Sequence, residues 1–419
     1  MRTLYTVLFY ILIPLILLRL LWRSLKAPDY RRRWLERFGF YGRTFPQQVI
    51  WFHAVSVGEA EALFPLVRRF QNQSPSVKIL ITTTTPTGSA RVKAVMSKSV
   101  EHVYFPYDIP FALERFLRCF KPVMAVIVET EIWPNLYHAC AKHNIPLFLI
   151  NARLSEKSAG RYKKIPSLIK PALANLKLVA AQTDEDARRF NDIGVKAEQV
   201  ITLGNMKFDV EIPEDIIQGA KELKASIFND RFVWVAGSTH SGEEQSCLDV
   251  YKVLKPIIPK LLLILVPRHP ERFVEVGSLC EKNELHVVHR TSNRRCDSKT
   301  DIYLADTMGE LKLLYAAADL AFVGGSLVNI GGHNVLEALA VGVPVIFGPY
   351  MANFKEIANK LIADEASICS SDKDMLGQTI MKLYSDANLR RILVENGKLF
   401  LQKNCGVTDS LYQLLSKVL

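Results

Sequence analysis

Glu59 stands behind a glycine turn at the carboxyl end of an apolar run, in Ser56-Val57-Gly58-Glu59. A carboxylate in that place can take a proton from an attacking hydroxyl. The same four residues also spell a capping box, in which Glu59 bonds back to the Ser56 backbone, and spacing alone leaves both readings open. Ser241-Gly242-Glu243-Glu244 repeats the box and reads as a cap. Glu129-Thr130-Glu131 closes another apolar run and can form either a site wall or a solvated corner. Lys207, in Gly204-Asn205-Met206-Lys207-Phe208-Asp209, is a cation able to offset charge growing on a leaving phosphate; on its own it reads as an ordinary surface lysine.

Further along, Pro267-Arg268-His269-Pro270-Glu271-Arg272 follows an apolar run, and Arg268 suits bidentate phosphate recognition. The densest pattern runs from Asp306-Thr307-Met308-Gly309-Glu310-Leu311 through Gly324-Gly325-Ser326 and Gly331-Gly332-His333-Asn334-Val335-Leu336-Glu337 to Gly348-Pro349. A glycine-rich loop opening a helix offers backbone N–H groups and a positive dipole end to a phosphate, and Glu337 can accept hydrogen bonds from ribose hydroxyls. The glycines fit neither the Walker nor the dinucleotide spacing. The histidines lack cysteine or carboxylate partners at zinc-binding spacing, so no metal site is expected.

These residues must be positioned by a chain of 419 residues, enough for two domains. Its 49% hydrophobic and 23% charged residues exclude a mostly disordered chain. Short β-branched runs at 48–54, 77–83, 123–128, 147–151 and 176–181 alternate with helical patterns such as 59–71 and 89–97. Runs at 232–236, 261–266, 302–304, 320–323 and 343–347 do the same in the second half. The alternation predicts an α/β fold of two Rossmann-like domains with parallel sheets facing a central cleft, ligands sitting at the strands' carboxyl ends. The expected domains are 27–208 and 209–419, the last helical stretch packing back on the first. Net charge is +11, which fits an acidic partner, and seven scattered cysteines fit a reducing compartment. No aromatic-interleaved basic stripe or nucleic-acid motif is present, so no nucleic-acid partner is expected.

Residues 4–18 form a continuous apolar run, broken by Arg19 and closed by Leu20-Leu21-Trp22. It reaches the ~17–20 residues a tilted membrane helix needs. Arg23, Lys26, Arg31, Arg32 and Arg33 follow, against Arg2 alone on the other side, so residues 1–26 read as a membrane anchor with the body cytoplasmic. An interfacial helix dipping into one leaflet is the other reading; both place the chain on anionic lipid.

Taken in order, these motifs resemble the lipid A Kdo transferases, members of the GT-B glycosyltransferases, and the resemblance covers essentially every segment. It extends to Lys26-Ala27-Pro28, Thr85-Pro86-Thr87-Gly88-Ser89, Asn151-Ala152-Arg153-Leu154-Ser155 and Gly-Val-Pro-Val-Ile-Phe-Gly-Pro at 342–349. It implies inverting transfer of Kdo from CMP-Kdo to a lipid A precursor (lipid IVA) at the inner membrane, with neither metal nor cofactor. Glu59 would be the proton acceptor, with Glu129 and Lys207 stabilising the transition state. Pro267, Arg268, Met308, Gly309, Glu310, Asn334, Val335, Leu336 and Glu337 would bind CMP. Proline often stands in that family where this chain has Val335. The residues by themselves also admit a GT-B enzyme using a UDP-linked sugar, or an inactive lipid- or nucleotide-binding homologue.

Overall fold

The computed structural model describes the whole chain except residues 27, 43, 44, 46, 97 and 98, so Ala27 of the amino-terminal motif and the expected helix end at Ser97 lie outside the described residues. The chain forms two compact units, Met1–Asp209 with Asn404–Leu419, and Val210–Lys403.

The first unit opens with α1 (Arg2–Lys26) and then winds a sheet from β1 (Val49–His53), β2 (Lys78–Thr83), β3 (Glu101–Tyr104), β4 (Pro122–Val128), β5 (Leu147–Ala152), β6 (Leu176–Ala181) and β7 (Val200–Thr202). Every pairing is parallel, in the order β3-β2-β1-β4-β5-β6-β7. Strand residues alternate between two faces, and both faces are covered. Val49 and Trp51 of β1 pack into one core layer with Phe116, Phe120 and Tyr137. Ile50 and Phe52 enter the other, with Leu63, Phe70, Leu411 and Leu415. Strands buried on both faces need unbroken apolar sequence, hence the continuous runs read above. The helix α2 (Val57–Gln73) follows β1. The last helix, Val407–Ser416, belongs to this unit: Tyr412 packs edge-on against Phe70, and the Asp209 carboxylate accepts the Gly406 and Thr408 N–H groups at 2.7 and 2.5 Å.

The second unit repeats the plan with β8 (Phe232–Thr239), β9 (Leu261–Pro267), β10 (Val287–His289), β11 (Ile302–Leu304), β12 (Leu320–Val323), β13 (Val345–Phe347) and β14 (Ile368–Cys369). Its parallel order is β10-β11-β9-β8-β12-β13-β14. Trp234, Leu263, Leu304 and Phe322 carry one face, against Leu248 and Tyr251 of helix Glu243–Leu254. Strand order reverses beside β1 in the first sheet and beside β8 in the second. Open α/β sheets take ligands at such points, outside the carboxyl ends of the strands.

Candidate active site

At the first switch point, β1 and β4 lie side by side and their carboxyl ends deliver Glu59 and Glu129. Ser56 caps α2, accepting the Glu59 N–H at 3.3 Å. The Glu59 carboxylate turns back, accepting the Val55 N–H at 2.7 Å and the Ser56 hydroxyl at 2.8 Å. The box therefore forms with one change: the expected bond to the Ser56 backbone goes to the Val55 backbone, one residue earlier. Glu59 is only 8% exposed. Burial raises its pKa, opposed by the Val55 bond and helped by the neighbouring Glu129 charge.

Glu129 leaves β4 with φ of +61°, a left-handed conformation for a residue with a side chain. Its Oε1 lies 3.5 Å from Lys207 Nζ. Lys207 reaches this place through a chain of amides. Asn151 Oδ1 accepts the Met206 N–H at 3.0 Å, Gln182 donates to the Asn151 carbonyl at 2.9 Å, and Asn205 both donates to Gln182 and accepts the Lys207 N–H. Glu131 is pushed up to about 7 by burial and by the Glu59 charge, while Trp133 Nε1 donates to it at 2.7 Å. Glu59, Glu129, Glu131 and the Lys207 cation thus gather at the carboxyl ends of β1 and β4, with Glu129 and Lys207 still partly open to solvent.

At the second switch point, between β8 and β12, the centre is Glu243, which is fully buried. Its Oε2 accepts N–H groups from His240 (3.0 Å) and Gly325 (2.6 Å), and its Oε1 from Ser326 (3.0 Å) and Leu327 (2.9 Å). One carboxylate therefore ties the loop after β8 to the glycine loop after β12. The sequence reading made Ser241-Gly242-Glu243-Glu244 a capping box with Glu244 as its acid. Instead Gly242 stands at the cap with no side-chain bond, and Glu244 pairs with Arg272. It is Glu243 that reaches back to His240, while most of its bonds cross to the other strand. Gly324 is required here, because an added Cβ would stand 2.6 Å from the Ser238 carbonyl.

Above this loop His240 and His333 stack at 5.1 Å, their Nε2 atoms 2.8 Å apart. Burial, then the charge of Arg268 and the other imidazoles, pushes His333 down to about 4. Arg268 continues from Pro267, the last residue of β9, and its N–H bonds the Thr239 carbonyl at 3.0 Å. Beyond neighbouring β11, Met308 is 56% exposed and Gly309 has φ of +89°. Glu310 is held by Arg290 at 2.9 and 3.1 Å. Burial alone would raise the Glu310 carboxyl, but the bonds from Arg290 and Thr307 win and hold it low. Asn334 Oδ1 caps the Leu336 N–H at 3.1 Å, Val335 and Leu336 are buried in the core, and Glu337 is half-buried. Two expectations change here. Val335 and Leu336 can offer a ligand only backbone, and the helix they open, Leu336–Ala340, has five residues and little dipole to contribute. Among the described residues no group of three or more His, Cys, Asp or Glu side chains is gathered for a metal.

Sequence reasoning missed Glu243 as a loop clamp, the His240–His333 pair and the amide chain under Lys207. A signal for Glu243 was on hand: it follows a strand-end histidine and a glycine, as Glu59 follows His53 and Gly58.

Two parallel doubly wound units with polar switch-point loops define the GT-B class. The fold of UDP-GlcNAc 2-epimerase from Neisseria meningitidis agrees, with TM-score 0.55 at 13% identity over 85% of this chain and 99% of that one. A family model described as 3-deoxy-D-manno-octulosonic-acid transferase (kdotransferase) matches residues 32–210, and one described as glycosyl transferases group 1 matches 264–400. The chain is 41% identical to 3-deoxy-D-manno-octulosonic acid transferase of Haemophilus influenzae over 100% of its own length and 99% of the relative's. It is 33% identical to the enzyme of that name from Bordetella pertussis over 97% of each. The chain is a glycosyltransferase and belongs to the 3-deoxy-D-manno-octulosonic acid transferase family.

Proposed function

We propose that the chain transfers Kdo from CMP-Kdo to a lipid A precursor, lipid IVA, with inversion at the anomeric carbon, at the cytoplasmic face of an inner membrane rich in anionic lipid. The observation that carries the reading is the buried Glu59 carboxylate at the β1/β4 switch point, beside the Glu129–Lys207 pair. A carboxylate deprived of water is a stronger base than a free one, because burial disfavours its charged form. Glu59 takes the proton of a sugar hydroxyl of the acceptor, and the oxygen forms a bond to the anomeric carbon. The bond from that carbon to the CMP phosphate oxygen breaks, and CMP leaves with the electron pair. Lys207 offsets negative charge in the transition state, and Glu129 holds the lysine in place. In the second unit Arg268, Met308 to Glu310 and Asn334 to Glu337 receive the donor.

The nucleotide is tested by ligand-induced thermal stabilisation. At about a hundred times its Kd, CMP is expected to add ~2.7 kcal/mol, with UMP well below it at equal concentration. Arg268→Ala is expected to reduce the CMP shift. A larger shift with UMP would leave the fold intact and remove the CMP-Kdo reading.

A further inference from the structure

α1 does not stand away from the first unit. Its less exposed residues recur every three or four positions: Tyr5, Phe9, Leu12 and Ile16 are half-buried, and Leu20 and Ser24 are buried. Polar bonds fasten its amino-terminal end to the unit: Tyr5 donates to Asp108 Oδ2 at 2.9 Å and Thr6 to Asn135 Oδ1 at 3.0 Å. At the other end Arg31 Nε, in the turn that follows the helix, donates to Ser24 Oγ at 3.0 Å. Asp108 is itself built in, accepting the Asn135 and Leu136 N–H groups at 3.1 and 2.7 Å. At 1.5 Å per residue, Tyr5 and Ser24 are ~28 Å apart along the axis, nearly the ~30 Å depth of a bilayer's hydrocarbon core. A helix crossing that core would carry Tyr5 to the opposite side, away from the Asp108 and Asn135 it bonds here.

The opposite side of α1 is apolar and open. Leu4, Ile11, Leu18 and Leu25, seven residues apart and so on one side of the helix, are 63, 66, 60 and 71% exposed. Trp22 is 62% exposed, and Phe111 continues the surface by stacking on Tyr10 at 6.4 Å. Residues 1–37 hold eight basic and two acidic side chains, more than half of the chain's net charge of +11. An apolar face flanked by basic residues is complementary to an anionic lipid surface.

We infer that α1 lies in the plane of the membrane, its inner stripe on the protein and its outer stripe sunk into one leaflet of anionic lipid, without crossing the bilayer. The inference rests on the membrane-bound reading above but concerns only how the helix sits. Tyr5, Thr6 and Asp108 hold the helix against the unit, and Arg19 and Arg23 lie within reach of headgroup phosphates.

The test places a fluorophore at Leu4→Cys, Ile11→Cys, Leu18→Cys or Leu25→Cys in the full chain, with Cys369 and Cys405 replaced by serine. Depth is read by spin-labelled lipids in vesicles of phosphatidylethanolamine and phosphatidylglycerol. All four probes are expected at one depth within ~5 Å, in the headgroup and upper acyl region. Probes at 4 and 25 in opposite interfaces, ~30 Å apart with 11 and 18 near the centre, would overturn the inference while leaving the transferase reading untouched. No quenching at any position would overturn it together with membrane binding, and a Kdo transfer assay on the same vesicles separates that loss from loss of activity.

Discussion

Glu59→Gln is expected to lower acceptor-dependent transfer by roughly 10²–10⁴-fold, with donor affinity little changed. The amide keeps an oxygen for the Val55 N–H, which Glu59 accepts at 2.7 Å, so the start of α2 is preserved and the fold survives. The amide cannot take a proton at catalytic pH, and the base is lost. The pH profile carries the same information. Glu59 acts as the carboxylate, and burial raises its pKa above the ordinary range. The wild-type rate therefore climbs with pH through that raised pKa, levels above it, and falls as pH drops and the carboxyl takes up its proton. In Glu59→Gln the residual rate loses that limb. A variant that is folded yet within tenfold of wild type, with the limb intact, would mean that Glu59 is a cap and no more.

Glu243→Gln is expected to damage the second unit more than its size suggests. The carboxylate is fully buried and accepts four backbone N–H groups, two at each oxygen. An amide presents one oxygen and one NH₂, so whichever way it turns, two N–H donors face another donor. Leaving such groups unsatisfied costs ~1–3 kcal/mol apiece. A net loss of ~3 kcal/mol corresponds to roughly 6–12 °C in the melting of a unit this size. The Gly325–Leu327 loop is also released from the loop after β8, so CMP-Kdo affinity is expected to fall by at least tenfold. The measurements are a thermal melt and a CMP titration. A melt within a degree of wild type with unchanged CMP binding would show that the clamp is dispensable.

These two glutamates also show what the sequence could and could not disclose. The interior strands were legible because a strand covered on both faces must be apolar throughout, as Trp51 and Phe52 facing opposite layers illustrate. The four strands it did not disclose, β3, β7, β10 and β14, are the outermost of their sheets. A strand with one neighbour can be short and polar, and Glu101-His102-Val103-Tyr104 and the two-residue Ile368–Cys369 carry no apolar run to notice. Glu59 was visible as a residue type at a strand end, with its second use as a cap equally visible. Glu243 presented the same local pattern, but its partners at 325–327 lie more than eighty residues away. Lys207 was unremarkable for the same reason, since Asn151, Gln182 and Asn205 bring it to Glu129 only once β5 and β6 are paired. Local spacing discloses which groups are present; which of them meet depends on strand order.

CMP release from CMP-Kdo, measured for the wild-type chain with and without a tetraacylated lipid A precursor, addresses the central claim most directly. Release that depends on the acceptor, with one Kdo–lipid bond formed for each CMP set free, is the expected result. A folded, membrane-bound protein that releases no CMP with this pair, yet is stabilised by and turns over another nucleotide sugar, would contradict it.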